Sequence, residues 1–145
     1  MRIEVSIVIN RPVEDVFAFT DSADQETIWR SELVSSEKIS DGPIGLGSVG
    51  KAVYKMMGRE AVSTWEITEY EENEKVTFAS DVDNGPHIGT WPYEEDEGGT
   101  NFTWVVESED QIHGLAGKLR EDPNERLWTE VFQADLENLR RLPEA

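Results

Sequence analysis

The chain has no cysteine and only two histidines, His87 and His113. Disulfides and thiolate metal sites are thereby excluded, and two histidines without ligand spacing between them do not make a zinc site. Basic residues are scarce as well: 13 lysines and arginines stand against 31 acids, for a net charge of −18. No basic patch offsets this excess. Such a surface repels phosphate backbones and anionic membranes, so nucleic-acid binding is not expected. Lysine is the rarer base, present only as Lys38, Lys51, Lys55, Lys75 and Lys118. Acid-rich, lysine-poor composition is expected either of a proteome adapted to high salt, where added ions screen the self-repulsion, or simply of a soluble acidic protein. The acid runs EENE and EEDE lack the spacing of a calcium loop and read as solvated turns. Neither G-x-S-x-G nor a cysteine nucleophile is present, so covalent hydrolase chemistry lacks its usual signature. No metal or cofactor is expected. No apolar run approaches the length of a membrane span, and the opening MRIEVSIVIN alternates where a targeting core would be continuous. These features lead to the expectation of a cytoplasmic protein with no membrane insertion. A single domain is expected over residues 1–145, since a chain of this size buries about 68–70% of its unfolded surface and folds without staples.

What is present is a clear change of period along the chain. Ile3, Val5, Ile7 and Ile9 alternate with polar positions and predict a strand with one buried face. Asn10-Arg11-Pro12 stops it, with Asn10 or Arg11 as cap and Pro12 in the first turn of a helix carrying Val13, Val16, Phe17 and Phe19. A second short helix is predicted over Ala23 to Arg30. Strands are then predicted at Leu33–Ile39, Val49–Met57, Glu60–Tyr70, Lys75–Ser80, His87–Tyr93 and Asn101–Glu107. Turn chemistry divides them: the loop GPIGLGSVG, Met57-Gly58-Arg59, EENE, VDNGP and EEDEGG. Strands so close in sequence are most simply antiparallel neighbours. The last third returns to helical spacing. Leu115 and Leu119 open it, Asp122-Pro123 starts a fresh segment, and Leu127, Trp128, Val131, Phe132, Leu136, Leu139 and Leu142 form one stripe that Pro143 ends. The predicted fold class is α+β. It is a helix-grip: a curved antiparallel sheet wrapped around a long C-terminal helix, with two short helices after the first strand.

Several of these stretches resemble a known group of proteins. The opening strand leading into RPVEDVFAFTDSADQETIW, the glycine loop, TWEITEYEENEKVTF, GGTNFTW and the terminal helix ending in DLENLRRL together look like the polyketide cyclase/dehydrase-like branch of the START/Bet v 1 (SRPBCC) superfamily. The resemblance covers nearly the whole chain. It implies a helix-grip fold with a mostly apolar cavity that binds lipids, hormones or aromatic polyketides. Only a minority of such proteins catalyse cyclisation or dehydration, and fold by itself does not settle function. It also implies that Trp29 borders the cavity entrance, as a lid or as cover for the core edge.

Gly45-Leu46-Gly47-Ser48-Val49-Gly50 matches G-x-G-x-x-G, and Lys51 brings it near a phosphate loop. Both motifs need a helix N-terminus after the glycines, whereas Ala52-Val53-Tyr54-Lys55-Met56 reads as a strand. Nucleotide binding is therefore rejected in favour of a glycine-permitted turn. Strand alternation gathers the aromatics instead. Trp65 shares a face with Ala61, Ser63 and Ile67, and Phe78 with Val76 and Ser80. His87, Trp91 and Tyr93 share another, as do Phe102, Trp104 and Val106. Trp65, Trp91, Trp104 and Phe132 then converge between sheet and helix, as plain core or as the lining of a pocket. With Trp29, His87, Tyr93, Trp128 and Asp135 they form the candidate ligand-binding set. The cavity expected is on the order of a few hundred Å³.

Asp135 falls near the middle of the apolar arc of the last helix. A buried carboxylate costs several kcal/mol unless it is paired or protonated. It either sits at a rim or pairs with an arginine or indole N–H, or else it acts inside the cavity as polar anchor or general acid/base with His87. The expected function is binding of a small hydrophobic or aromatic molecule. The alternatives are a cyclase/dehydratase-like enzyme using Asp135 and His87, and a co-chaperone-like protein-binding module. The expected partner is thus a small hydrophobic ligand, and homodimerisation through sheet or helix surfaces is left open.

Overall fold

The computed structural model describes residues 2–56, 58–82, 85–108 and 123–144. Leu115, Leu119, Asp122 and His113 lie outside the described residues, as do Met57 and the Asp83-Asn84 tip of VDNGP. Strand β1 (Arg2–Ile9) buries every second residue, from Ile3 to Ile9. Helices α1 (Val13–Thr20) and α2 (Ala23–Trp29) follow. Then come β2 (Leu33–Lys38), β3 (Val49–Met56), β4 (Arg59–Glu71), β5 (Lys75–Val82), β6 (Gly85–Asp96), β7 (Gly99–Ser108) and α3 (Pro123–Glu144). Pro12 is itself the N-cap of α1, with no side-chain cap, and Glu14 and Asp15 occupy the first turn, where the helix dipole favours acids. The last helix runs one residue past Pro143, which does not end it.

All seven strands form one antiparallel sheet in the order β1-β7-β6-β5-β4-β3-β2. From β2 onward the chain meanders through consecutive neighbours. The first strand joins the far edge beside the last, so α1 and α2 carry the chain from one edge of the sheet to the other. Helix α3 lies at the β1–β7 end: Phe132 meets Trp104 at 4.2 Å between ring centroids, and Gln133 donates to the Ser6 carbonyl. A helix is roughly 10–12 Å across and strands stand about 4.8 Å apart, so one helix covers only part of a seven-stranded face.

EEDEGG is a tighter feature than a loop over 94–99. The ladder continues to Asp96↔Gly99, and only Glu97 and Gly98 turn, with φ of 50° and 86°. Two successive positive φ values match the right-handed twist of the flanking strands, so pairing reaches the turn itself. The G-x-G-x-x-G segment is a loop leading into β3. Its Gly47 N–H donates to the Ile67 carbonyl at 2.9 Å and its Gly45 N–H to Ser48 Oγ at 2.9 Å. Amides that would hold a phosphate are thus spent within the chain, and the loop instead tucks Ile44 against the core.

Two other glycines matter because rings lie on them. A Cβ built on Gly50 would stand 2.0 Å from Trp65 Cζ2 and 2.5 Å from the Glu37 carbonyl oxygen. On Gly89 it would stand 2.5 Å from Phe78 Cε2. Gly50→Ala and Gly89→Ala are each expected to destabilise the fold by about 1–3 kcal/mol in urea unfolding, through forced displacement of these rings. Gly45, with nothing within 4 Å of its would-be Cβ, is the control. If Gly50→Ala unfolded no more readily than Gly45→Ala, the ring-over-glycine packing would be refuted.

Candidate functional site

The concave face holds a cleft of about 50 Å³ over β3–β6. Its floor is built by cross-strand neighbours. Trp65 stands opposite Ser80, Ile67 opposite Phe78, and Val76 opposite Trp91. Phe78 meets Trp91 edge-to-face at 5.0 Å. Alternation along each strand sends these side chains to the same face, and the glycines beneath Trp65 and Phe78 let the rings lie flat on the sheet. The strand β4 bulges between Ile67 and Glu69. Such a bulge re-aims side chains beside a site. Ile44 closes one side, and Thr20, Asp21, Glu26, Arg30 and Tyr54 supply a polar wall.

Arg30 organises that wall and is only 7% exposed. Its Nη1 donates to Glu26 at 3.0 Å, while Nε and Nη2 donate to Glu32 Oε1 at 3.1 and 2.9 Å. The guanidinium also lies over Trp104 at 4.8 Å and Tyr54 at 5.3 Å. Burial works against its charge, but Tyr54, Glu32 and Glu26 outweigh burial and hold the group protonated well above its ordinary range. Glu26 is shifted upward because desolvation exceeds the attraction of Arg30. For Glu32 desolvation is overcome by Arg30 and by a hydrogen bond with Asp135, so its carboxyl is held low. At the other end Tyr70 donates to Asp21 at 2.7 Å, and Thr20 shares a 2.5 Å hydrogen bond with the Tyr93 hydroxyl. Burial raises Asp21, and the Tyr70 hydrogen bond only partly opposes it.

Asp135 is fully buried but does not line the cleft. Ser31 donates to its Oδ1 from both backbone N–H (3.1 Å) and hydroxyl (2.8 Å). Its Oδ2 has no donor among the described residues when the group is a carboxylate. The neighbouring Glu32 carboxyl disfavours a second negative charge on Asp135. Burial and then Glu32 push Asp135 up to about 7. Among the described residues the donor to this acid is therefore a serine, neither an arginine nor an indole.

Behind the cleft floor lies a close aromatic cluster. Trp29 packs on Trp91 and Trp104 at 5.8 Å each and on Phe102 at 6.4 Å, and Tyr93 meets Phe102 at 5.2 Å. The indole N–H groups of Trp29, Trp91 and Trp104 find no hydrogen-bond acceptor among the described residues. Edge-to-face packing is the arrangement in which such a group meets a π face instead.

Of the residues picked from sequence, Trp65 and Trp91 line the cleft. Trp29, Tyr93, Trp104, Phe132 and Asp135 are buried outside it. Trp128 is half-buried and stacks on Phe132 at 5.7 Å. His87 is half-buried on β6 opposite Ser80 and Ser108, and is not in the lining. The cleft is well below the few hundred Å³ expected, because Phe132, Trp29 and Arg30 already occupy the face of Trp104. Sequence patterning passes over Arg30, Glu26, Asp21, Tyr54 and Phe78 as site residues. One signal was available: Glu26 and Arg30 are an i,i+4 pair on a helix, the spacing at which opposite charges meet. No helix of the described residues is long and apolar enough to cross a membrane. No group of three or more acids or histidines among the described residues is placed to hold a metal ion.

A family model described as "Polyketide cyclase / dehydrase and lipid transport" matches residues 1–144. Among solved structures the chain is similar to TTHA0849 from Thermus thermophilus, at 19% identity over 99% of this chain and 97% of that one, with a TM-score of 0.74. It is similar to CV1439 from Chromobacterium violaceum at 17% identity, 99% and 97% coverage and a TM-score of 0.74. It is also similar to Ara h 8.0201, at 13% identity, 99% and 97% coverage and a TM-score of 0.71. At these identities the structures show a shared Bet v 1-like helix-grip fold. No curated protein matches the sequence.

Proposed function

Since the chain belongs to the polyketide cyclase/dehydrase and lipid transport family, we propose that it binds a small aromatic or apolar molecule in the cleft over β3–β6. The observation that carries this reading is the composition of that cleft. Trp65, Ile67, Val76, Phe78 and Trp91 form an apolar floor, and Asp21, Glu26 and Arg30 stand along one side. Ligand sites are of this kind, apolar surfaces with a few fixed polar groups that set orientation. A volume of about 50 Å³ has room for about three or four waters, against about 150 Å³ for a cavity that encloses a benzene, so a single ring would rest on the Trp65–Trp91 floor and stand partly in the open mouth. Neither Asp135 nor His87 lines this space, so the reading is one of binding, with Trp65 and Trp91 as the contacting aromatics.

The test is an NMR titration with benzyl alcohol, a neutral single-ring probe, followed through the indole N–H signals. The expected result is saturable shifts at Trp65 and Trp91, with Trp128 unmoved. An absence of saturable shifts, or equal shifts at Trp128, would count against the cleft as a binding site.

A further inference from the structure

We infer that the cleft is selective for a cationic end group: its ligand class is a single-ring aromatic amine, and aromatic carboxylates are refused. This inference rests on the reading of the cleft as a binding site and adds the chemistry of the occupant. The charged members of the polar wall are Asp21, Glu26 and Arg30. Among the described residues Arg30 is the one cation lining the cleft, and three of its five N–H donors are taken, with Nη1 on Glu26 and both Nε and Nη2 on Glu32. Glu26 and Glu32 thus outnumber the guanidinium they hold, and Asp21 adds a further carboxyl to the lining, so the wall is acidic. Asp21 keeps its place because Tyr70 donates to its Oδ2 at 2.7 Å, and both Asp21 and Glu26 border the open space.

The floor favours the same ligand. Trp65, Phe78 and Trp91 offer ring faces and edges beside the acids, and an ammonium gains from a tryptophan face as well as from a carboxylate. A carboxylate would meet Asp21 and Glu26, with the Arg30 guanidinium already engaged, and like charges in a partly desolvated cleft repel. The net charge of −18 has the same sign, but salt screens distant charges within about 8 Å at 0.15 M. The groups bordering the cleft are therefore the ones that discriminate.

The experiment titrates the full chain in about 0.15 M KCl, where the screening length is about 8 Å, with benzylamine, benzyl alcohol and benzoate. Binding is read from the Trp65 and Trp91 indole N–H signals. Benzylamine is expected to bind about tenfold more tightly than benzyl alcohol, the gain a partly desolvated cation–π or ion-pair contact gives, and benzoate to show no saturable binding. Asp21→Asn, which keeps an acceptor for Tyr70, is expected to bring benzylamine down to the level of benzyl alcohol. Equal affinities, or preference for benzoate, would overturn the selectivity while leaving the cleft as a binding site. A benzylamine preference unchanged in Asp21→Asn would overturn it too, since the whole surface would then be responsible. If none of the three binds, the cleft itself fails as a site and the selectivity falls with it.

Discussion

Replacing Arg30 with methionine is expected to lower stability by about 3–5 kcal/mol, the cost of leaving buried charge uncompensated. Arg30 and Glu32 are each 7% exposed, and Glu26 is 16% exposed. Three guanidinium hydrogen bonds hold the two carboxylates. Methionine would fill much of the space between Tyr54 and Trp104, so the loss would come from Glu26 and Glu32 and only slightly from packing. Arg30→Lys is not expected to restore the protein. A lysine point charge cannot reach both acids as a planar fork and stack between two rings at once. The triple variant Arg30→Met, Glu26→Gln, Glu32→Gln is expected to recover most of the lost stability, since no unpaired charge then remains. Urea unfolding with linear extrapolation measures all three. An Arg30→Met protein within about 1 kcal/mol of the parent would place it in the range of exposed ion pairs and refute the argument.

The second large effect is a dependence on pH that Asp135→Asn removes. The folded Asp135 is pushed up to about 7 from its ordinary 3.8, by burial first and by Glu32 second. The folded state therefore holds this proton more tightly than the unfolded chain does. Its contribution is fully present below the unfolded value and is lost as pH rises through the folded one. Glu32, held low, acts in the opposite sense but only at the acid end, below its ordinary 4.5. The net loss thus falls between about pH 4.5 and pH 7, and amounts to about 2–4 kcal/mol, at about 1.4 kcal/mol for each tenfold difference in proton affinity. Asparagine keeps an oxygen for Ser31 and does not ionise. Asp135→Asn is expected to match the parent near pH 4.5 and to exceed it by that amount near pH 8. Unfolding midpoints of the two proteins across this range decide it. A difference that is flat in pH, or that grows toward acid, would show that Asp135 does not hold its proton more tightly in the folded state. Asp21 and Glu26 are also shifted upward, but they are common to both proteins and cancel in the comparison.

Much of the fold was legible because it depends on local period. Ile3 to Ile9 alternate and bury one face of β1. Trp65, Ile67, Val76, Phe78 and Trp91 were placed by parity on inward faces, and all five line one cleft. Leu136 and Leu139 lie on the buried stripe of α3, and Asp135, near the middle of the same arc, is fully buried and not at a rim. The turn at Glu97-Gly98 was marked by its residues, though the strands reach closer to it than composition alone implied.

What the sequence determined by itself, then, is which side of each element faces inward, since a strand repeats every second residue and a helix every 3.6. Neighbours across the fold are another matter. Ser31 and Asp135 are 104 positions apart, and no periodicity states that a helix face will meet the loop after α2. The tertiary structure decided that the acid on α3 accepts from Ser31, that Arg30 lies between Tyr54 and Trp104, and that the cleft opens over β3–β6 while α3 fills the face beside β1 and β7. The reason is geometric. One helix is too narrow to cover seven strands, and which part stays uncovered depends on where Phe132 and Trp104 bring the helix down.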